Sequence, residues 1–525
     1  MKARQQGFAA FVLTAAAAGA MAQTPPPAEP EKLKEVSVVS TRTERDLNEV
    51  PNTVTVINSD DIQKGQVQDI GDLIRYEPNI SVRSESQRRF GNGSFNIGGI
   101  DGNRVLIQVD GVRIGDEFSY GSSLLNGVGR DTVDLDTLKR VEILRGPGSA
   151  IYGSDALGGV VSYTTKDPSD YMKQTDKDVY FGVHSGYASA DRSFTNGFTF
   201  ATGREAVQGY LYYSRRIGHE TSNRGDIDVQ GPTRTAANPQ NYLQESLLGK
   251  IVFKPAAGQQ FKLTLEDRST RADTNVLSGV TGLPRVTDLQ GYDKAQRSRI
   301  SLEHEWLQPA SWVNALRWNA YGQQTNNYQR SVQTRSGTSS TCSGTTTGTN
   351  TCILDLNTTF NQSIVGGNAS LEHLFALGNS SNRLTWGADA SKSTTFEQRN
   401  GGRLNVTTGA YTTTITPDPA FPVHDFPTSD TWLKGLFDER LQLIGGLRYD
   451  SYRLTPRSDA VFQANNAANA ANLAAAQEIT ANALSPKFGA TYKLNKVWSA
   501  FANYAYGFRA PSALEAQAAF LYPGA

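Results

Sequence analysis

The most constraining feature of this sequence is a series of strand-like segments, each of roughly ten residues, that begins at about Tyr171 and continues to the C-terminus. In Leu441–Ser451, and again in residues 498–508, apolar side chains recur at every second position. This is the period of a β-strand with one apolar face. Helical periodicity is scarce in the same region, so the pattern predicts an all-β region rather than an α/β enzyme.

The connections between these segments alternate in length. Residues 255–260 make a short turn, whereas residues 216–244, 323–362 and 399–429 are long and polar. Short turns at one end of the strands and long loops at the other are typical of an outer-membrane β-barrel. A soluble β-propeller or sandwich is the alternative, but no repeat of fixed period supports it.

Composition restricts the class of function further. The chain has 525 residues, and its 51 lysines and arginines balance 51 aspartates and glutamates, so its formal net charge is zero. A nucleic-acid partner requires a basic face, which this balance argues against. Beyond the N-terminus no apolar run approaches the roughly 18 residues of a membrane-spanning helix. These features favour an exported, β-rich chain.

The N-terminus indicates export directly, and we assign residues 1–22 to a signal peptide. Lys2 and Arg4 precede an apolar stretch, and Ala20-Met21-Ala22 supplies the small residues of a cleavage site. A buried helix is the alternative. Residues 23–34, rich in Pro, Glu and Lys, follow as a flexible linker.

The two cysteines fit an exported chain. Cys342 and Cys352 lie in a stretch rich in Ser, Thr and Gly. Exported proteins fold in an oxidising compartment, so the pair predicts a disulfide within a loop. A zinc site is not indicated, because no histidine accompanies the cysteines.

Residues 40–168 have the pattern of a compact α+β domain. Apolar spacing predicts a helix over residues 60–76, ended by Pro78. The apolar run Val105–Val109 predicts a buried strand, followed by a turn at Asp110-Gly111. A wide barrel leaks unless something fills its lumen, and a domain of this size could be that plug.

Three segments in this domain, and one directly before it, carry a resemblance to a known family. In order and spacing they resemble the TonB box and the plug motifs of the TonB-dependent outer-membrane receptors of Gram-negative bacteria. The segments are Glu35–Val39, Leu106–Arg113, Arg140–Gly153 and Ala156–Val161.

The resemblance implies a fold, a location and a partner. The fold is an all-β transmembrane barrel, 22-stranded in the family and incomplete here, over residues 171–525, with the α+β plug of residues 40–168 in its lumen. The location is the outer membrane, in contact with its lipid, and the partner is the energy-transducing protein TonB. The implied TonB box is Glu35, Val36, Ser37, Val38 and Val39. The implied plug signature is Asp110, Gly111, Gly146, Pro147, Tyr152 and Gly153.

Two of these assignments have plain structural alternatives. The TonB box could be an ordinary first strand of the domain. Glu142 and Arg145 correspond to the family's lock between plug and barrel. Their alternative is an exposed ion pair, which contributes about 1 kcal/mol or less.

A second resemblance concerns the ligand. Residues 93–105 and Tyr506–Pro511 resemble the heme and hemoglobin branch of the family. This implies heme or another ferric chelate as transported ligand, with no permanently bound cofactor. The implied binding partners are heme, hemoglobin or a ferric siderophore. The implied ligand segment is Phe508, Arg509, Ala510 and Pro511. The alternative is a strand end, with Arg509 facing lipid headgroups and Pro511 starting a loop.

Heme requires axial ligands, usually His and sometimes Tyr. Residues 40–168 contain no histidine. His424, in an aromatic and Pro-rich loop, and Tyr120 in the plug are the candidates, although a solvated loop residue is the simpler reading of His424. A ferric-siderophore receptor, which needs no histidine, is the nearest rival. A passive porin is less favoured, and no catalytic spacing or nucleotide loop indicates an enzyme.

The C-terminal region is shorter than the family requires. It holds about thirteen strand candidates, against the 22 strands of plugged transporters. Its last residues, Leu521–Ala525, have the composition of a turn rather than of a closing strand. We therefore expect a C-terminally truncated receptor.

Overall fold

The computed structural model describes most of the chain beyond its N-terminus. The described residues are 36–37, 39, 45–47, 50–82, 93–117, 133–175, 177–281, 285–337, 350–413, 416–417, 421–436, 441–456, 460, 463, 477–495 and 498–512. For residues 36–37, 174–175, 285, 337, 399, 413, 416–417 and 421–436 only the backbone is described. The predicted signal peptide and linker, together with Glu35, Val38, Tyr120 and Cys342, lie outside these residues.

The N-terminal domain, hereafter the plug, is built from short elements. Its described strands are β1 (Val36–Ser37), β2 (Arg45–Asp46), β3 (Val54–Asn58), β4 (Ile80–Val82), β5 (Phe95–Ile97), β6 (Val105–Val109), β7 (Val112–Arg113), β8 (Leu138–Arg145) and β9 (Gly159–Thr165). Its described helices are α1 (Ser59–Lys64), α2 (Ile70–Leu73), α3 (Ser149–Tyr152) and α4 (Pro168–Thr175). No helix in the described ranges is long and apolar enough to cross a membrane.

A mixed sheet of five strands forms the centre of the plug. Its strand order is β3-β8-β9-β6-β7, with β6 parallel to β9 and the other neighbours antiparallel. Every residue of β6 is buried, so the predicted buried strand is confirmed. Asp110 and Gly111 connect β6 to β7, which confirms the predicted turn. The core around the sheet includes Ile107, Val109, Val141, Ile143 and Val161.

The predicted helix over residues 60–76 is wrong, because the chain forms two short helices there. The first, α1, ends at Gly65, whose amide donates to the Asp61 carbonyl at 2.8 Å. The second, α2, begins after Asp69, whose carboxylate accepts the Asp72 amide at 2.8 Å. A side chain that accepts an amide in this way starts a helix, so Asp69 interrupts the predicted one.

The C-terminal region forms one large antiparallel sheet, hereafter the barrel sheet. Its described strands are β10 (Val179–Ala188), β11 (Ser193–Gly203), β12 (Val207–His219), β13 (Gln240–Phe253), β14 (Gln259–Asn275), β15 (Arg285–Ala310), β16 (Val313–Gly337), β17 (Asn350–Leu377), β18 (Ser380–Asn405), β19 (Tyr411–Thr413), β20 (Thr416–Pro417), β21 (Phe421–Leu436), β22 (Leu441–Leu454), β23 (Ile479–Lys493) and β24 (Ser499–Ala505).

The strands of the barrel sheet pair in chain order. Thirteen of them form a continuous path from β10 to β24, and the short β19 and β20 pair with β18 at its side. The predicted number of strands is therefore confirmed. In the described part of the chain β10 and β24 are the two edges of this path. The C-terminal truncation stays a prediction.

The two faces of the barrel sheet differ in polarity. In β22, Leu447 and Tyr449 are exposed, whereas Arg448 and Asp450 between and beyond them are buried. The same alternation places apolar side chains outward along the sheet, among them Leu211, Leu247, Ile251, Leu265, Ile300 and Val365. An apolar outer face with a polar inner face is what a transmembrane barrel requires.

Strands β15 to β18 are longer than predicted. They include 26 residues in β15 and 28 in β17, whereas about 9–11 residues cross a membrane. Most of the predicted loop 323–362 is strand, because β16 continues to Gly337 and β17 begins at Asn350. Polar side chains occupy both faces of the β16 extension, whereas the β17 extension has buried apolar residues at alternate positions, among them Cys352 and Leu354.

Inward side chains from distant strands of the barrel sheet contact the plug. Ser214 of β12, Lys250 of β13, Arg299 of β15, Gln362 of β17 and Arg448 of β22 each hydrogen-bond to a plug atom. Since these strands span most of the strand order, the sheet curves around the plug.

Candidate functional site at the plug–barrel interface

A plug carboxylate meets two barrel cations at the turn after β6. Asp110 and Gly111 both have positive φ, +47° and +76°, as a tight turn between antiparallel strands requires. The Asp110 carboxylate accepts the Thr165 amide at 2.8 Å and the Thr165 hydroxyl at 2.7 Å. Arg299 Nη2 lies 2.9 Å and Lys250 Nζ 3.9 Å from its Oδ2. The turn thus joins the plug sheet to β13 and β15.

The two cations stabilise the charge of Asp110. Burial alone would raise the pKa of its carboxyl, but Lys250 and Arg299 lower it, and the net pKa lies well below the usual range. The group is therefore ionised at neutral pH. Removing one partner of such a buried pair is strongly destabilising, because it leaves an uncompensated charge.

Arg299 is fixed by its own strand neighbours before it reaches the plug. Its Nε donates to Glu266 at 2.9 Å, and Glu266 also pairs with Arg297. Its Nη1 donates to the Val109 carbonyl at 3.0 Å. The guanidinium therefore bridges a barrel carboxylate and two acceptors of the plug.

A second plug carboxylate, Asp167, extends this contact. Lys250 Nζ lies 3.2 Å and Lys262 Nζ 2.9 Å from its Oδ1. Burial raises the pKa of Asp167, but the two ammonium groups lower it more strongly, to about 2. Lys250 also donates to the Thr165 carbonyl at 3.2 Å, so it joins both carboxylates to one plug strand.

Asp134 and Asp136 make a further set of contacts with the first barrel strands. Asp134 Oδ2 accepts from Ser214 Oγ at 2.5 Å and from the Tyr212 hydroxyl at 3.3 Å. His184 Nε2 lies 2.9 Å from Asp136 Oδ2. Burial raises the pKa of Asp136, and the His184 contact lowers it to a net value below the usual one.

A cavity of about 540 Å³ lies beside these aspartates, between the plug and strands β10 to β14. Its polar lining mixes carboxylates, guanidinium groups and two histidines. They include Asp134, Asp136, His184, Asp191, Arg216 and His219. The cavity has room for a bound group and offers it partners of both charges.

The opposite side of the plug is held mainly by hydroxyl and backbone groups. Ser149 is the first residue of α3. Its Oγ donates to the Phe508 carbonyl at 3.1 Å and accepts the Phe508 amide at 3.0 Å. The Ala510 amide donates to Ser154 Oγ at 3.1 Å. Arg509 lies 3.4 Å from Asp155.

These contacts place residues 508–511 beside the plug. Phe508 and Ala510 also pack with Tyr452 and Leu454 of β22, and the Pro511 carbonyl accepts the Tyr452 hydroxyl at 2.6 Å. The segment therefore contacts both the plug and the barrel sheet, and its role in ligand binding stays a prediction. The alternative of Arg509 facing lipid is wrong, because its side chain is mostly buried beside Asp155.

Arg448 completes the second side. Its Nη1 donates to the Ile151 carbonyl at 3.2 Å, near the end of α3. Asp389 and Asp450 hold the guanidinium at 2.9 and 2.7 Å. The approach is close: a Cβ on Gly153 would lie 2.6 Å from Arg448 Nη2.

The lock predicted at Glu142 and Arg145 stays a prediction, and the structure places both residues in β8 of the plug. Glu142 accepts the Val39 amide at 2.9 Å and pairs with Arg140 at 3.0 Å, while Arg145 pairs with Glu77 at 2.6 Å. These partners lie in the plug. The described contacts across the interface include pairs of plug aspartates with barrel cations, bonds between plug hydroxyls and the backbone after β24, and the bond from Arg448 to the Ile151 carbonyl.

Other predicted site residues are placed as follows. Val36 and Ser37 form β1, which pairs with β2, and Val39 is buried. His424 lies within strand β21, so the predicted loop around it is wrong. Cys352 is disulfide-bonded and lies in β17.

Sequence reasoning missed the barrel cations, although a signal for them exists. Arg299 precedes the exposed Ile300, and Arg448 lies between the exposed Leu447 and Tyr449. In a strand with one lipid-facing side, a charged residue at the alternate position must face the lumen. Such residues are candidates for holding whatever fills it.

Two parts of the chain match known protein families. Residues 46–160 match the TonB-dependent Receptor Plug Domain, and residues 251–525 match the TonB dependent receptor-like beta-barrel. The chain belongs to the TonB-dependent receptor family. Members with this fold are outer-membrane β-barrel proteins of Gram-negative bacteria.

Similar curated proteins come from Haemophilus influenzae. One is the "Probable hemoglobin and hemoglobin-haptoglobin-binding protein 4", 34% identical over 241 residues, which cover 44% of this chain and 24% of that protein. Another is "Hemoglobin-binding protein A", 32% identical over 294 residues, which cover 52% of this chain and 29% of that protein. The matches thus span less than a third of these relatives' own length.

Several solved structures share the fold. The FrpB iron transporter of Neisseria meningitidis has a TM-score of 0.63 at 17% identity, over 88% of this chain and 65% of that one. The ferripyoverdine receptor of Pseudomonas aeruginosa has a TM-score of 0.64 at 16% identity, over 91% and 59%. The Serratia marcescens hemophore receptor HasR has a TM-score of 0.59 at 18% identity, over 89% and 65%.

Proposed function

We propose that this protein takes part in TonB-dependent uptake of heme or heme-protein iron across the outer membrane, without a catalytic role. The observation that carries the proposal is the buried ionic contact between the plug and the barrel sheet at Asp110. Breaking a buried pair costs about 3–5 kcal/mol, so a lumen closed by such a contact is open only a small fraction of the time. An energised partner that pulls on the plug would raise that fraction, and we propose that ligand passage depends on it.

We assign contact with that partner to the TonB box, Glu35–Val39. An extended segment can add a strand to the exposed sheet edge of a partner protein. Two of its residues, Val36 and Ser37, already have strand conformation. The partner is TonB, because it transduces energy to this family of receptors.

The choice of heme as cargo rests on the relatives. Both Haemophilus proteins described above are named for binding hemoglobin. In this chain His219 and His184 line the cavity beside the plug, whereas His304 stacks on Phe261 at 4.1 Å between ring centroids. Because His184 is bound to Asp136 at 2.9 Å, His219 is the candidate axial ligand that we take from the described part of the chain. His424 and Tyr120 stay candidates on sequence grounds.

A ferric siderophore is the second candidate cargo. The observation that favours it is the absence of histidine from residues 40–168 of the sequence, since heme sites usually use histidine ligands. An aromatic and Arg-lined site would suffice for a ferric chelate.

Growth of a heme-deficient Gram-negative host that expresses this protein tests the proposal. We expect growth on heme or hemoglobin, and loss of that growth when residues 35–39 are deleted or when the host lacks TonB. Uptake of a ferric siderophore without uptake of heme would favour the second candidate. Uptake that survives both deletions would indicate a passive porin.

A further inference from the structure

We propose that Glu142 is a latch for the TonB box: its carboxylate holds the end of the box against the plug sheet until an energy-transducing partner takes up the box. The inference rests on the proposed function for the identity of the box and of the partner. It gives Glu142 a positioning role that differs from a lock between plug and barrel.

The geometry of the contact is specific. The Val39 amide donates to Glu142 Oε2 at 2.9 Å, across 103 positions of sequence. Val39 is 1% exposed and Glu142 is 2% exposed, so water does not compete for either group. A hydrogen bond from a buried amide to a carboxylate is stronger than a neutral one.

The second carboxylate oxygen is also occupied. Arg140 Nε lies 3.0 Å from Glu142 Oε1. Both residues belong to β8, where Glu142 pairs with Val56 of β3 and with Ser162 of β9. The carboxylate is thus fixed on an internal strand of the plug sheet, and the box is tied to that strand rather than to a loop.

The Val39 side chain adds an apolar anchor to the polar one. It packs in a buried cluster with Leu106, Leu144, Ala156 and Val160. The two residues of β1 pair with β2 at the same end of the chain. Three attachments therefore hold the box, and the bond to Glu142 is the polar one that connects it to β8, beside the apolar contact with Leu144.

The bond between the Val39 amide and Glu142 makes release of the box unfavourable in free energy. If Val39 leaves, the buried Glu142 carboxylate loses a donor, and a buried charge short of donors is unfavourable. The loss is relieved when water enters beside β8. From β8 the sheet continues through β9 to β6, and Asp110 directly follows the last residue of β6. Opening the latch therefore loosens the strands that lead to the ionic contact with the barrel.

Hydrogen–deuterium exchange of the full chain in detergent micelles tests the latch. We expect Glu142→Leu to raise the exchange rate of the amides at residues 36–39 at least tenfold. Glu142→Gln keeps an acceptor oxygen and should raise it less. Val39→Pro removes the donor from the other side of the bond and should raise exchange at Val36 and Ser37.

Glu77→Gln is the matched control. Glu77 is another plug carboxylate, bound to Arg145 at 2.6 Å and to Thr55 at 2.7 Å, and no described contact joins it to the box. Exchange at residues 36–39 should stay unchanged in this variant. Equal acceleration in Glu77→Gln and Glu142→Leu, or no acceleration in Glu142→Leu, would overturn the latch.

A binding measurement separates the latch from the proposed function. The probe is the purified periplasmic domain of TonB, added to the same variants. We expect it to bind Glu142→Leu at least several-fold more tightly than the parent chain. If exchange accelerates but the probe binds no variant, the proposed function fails and the latch stands. If the probe binds all variants equally and exchange is unchanged, the latch alone fails.

Discussion

The plug is held by different chemistry on its two sides. Toward β13–β15, Asp110 and Asp167 meet lysine and arginine side chains in a buried ionic cluster. Toward β22 and the segment after β24, Ser149 bonds the backbone of Phe508, and Arg448 bonds a helix carbonyl. The first side depends mainly on charge, whereas the second combines hydroxyl and peptide groups with the ion pair between Arg509 and Asp155 at 3.4 Å.

This difference predicts how the plug comes free. A buried ion pair that loses one partner is destabilised by about 3–5 kcal/mol, whereas a single hydrogen bond contributes about 0.5–1.5 kcal/mol. The ionic side is therefore all-or-none, and the α3 side can open bond by bond. We expect the α3 side to open first when the plug is disturbed.

The largest effect should come from Asp110→Ala. Arg299 and Lys250 would then remain buried with one carboxylate fewer, so we expect plug docking to weaken by about 3–5 kcal/mol. The measurement is the urea concentration at which β6 amides lose protection from exchange while the barrel strands keep theirs.

Asp101→Asn is the control for that variant. Asp101 pairs with Arg104 at 2.6 Å, but both side chains are about half exposed, and exposed pairs contribute little. The urea midpoint should barely move. A similar loss in both variants would mean that burial of the Asp110 contact is not what stabilises the plug.

Acid should release the ionic side by titration. The pKa of Asp167 is lowered to about 2 and that of Asp110 lies well below its usual range. Their stabilisation is complete above the ordinary carboxyl pKa of about 3.9. It is lost as pH falls from there through the lowered values. We expect pepsin, which works in this range, to cleave β6 and β9 increasingly as pH drops from about 4 to 2.

Asp167→Asn sharpens the acid experiment. The variant lacks one titrating group, so its cleavage should already be faster at pH 4 and should rise less toward pH 2. Rates are corrected with an unfolded peptide substrate. A parent and a variant with the same pH profile would show that the Asp167 contact does not hold the plug.

The sequence predicted only part of the ionic side. The buried strand Val105–Val109 and the turn at Asp110 were readable, because an apolar run and an Asp-Gly pair are local signals. The partners of Asp110 were not, because Lys250 and Arg299 are remote in sequence. Only the curvature of the barrel sheet brings them to the plug.

The errors have a common physical origin. The helix predicted over residues 60–76 was interrupted by a capping contact at Asp69, and the loop predicted over 323–362 was mostly strand. Apolar periodicity reports burial of side chains. It does not report a single capping bond. It also does not report a strand, such as the extension of β16, that has polar side chains on both of its faces.

On the α3 side, Gly153→Ala should have the next largest effect. The new Cβ would lie 2.6 Å from Arg448 Nη2, and Gly153 has φ of +75°. Overpacking of this kind costs about 1–3 kcal/mol. Gly146→Ala separates the two causes, because Gly146 has φ of +88° but no atom within 4 Å of the added Cβ. We expect a larger drop in the urea midpoint of α3 amides for Gly153→Ala than for Gly146→Ala.

The smallest effect should follow Ser149→Ala. The hydroxyl both donates to and accepts from the Phe508 backbone, so its loss should weaken the α3 contact by about 1–2 kcal/mol. Ser162→Ala is the matched control, because Ser162 Oγ accepts a hydrogen bond from Gln108 Nε2 at 3.0 Å, entirely within the plug. Exchange at Phe508 should accelerate in the first variant only, while β6 keeps its protection. Acceleration at β6 as well would show that the two sides release together, because a side that opens bond by bond leaves the ionic cluster intact.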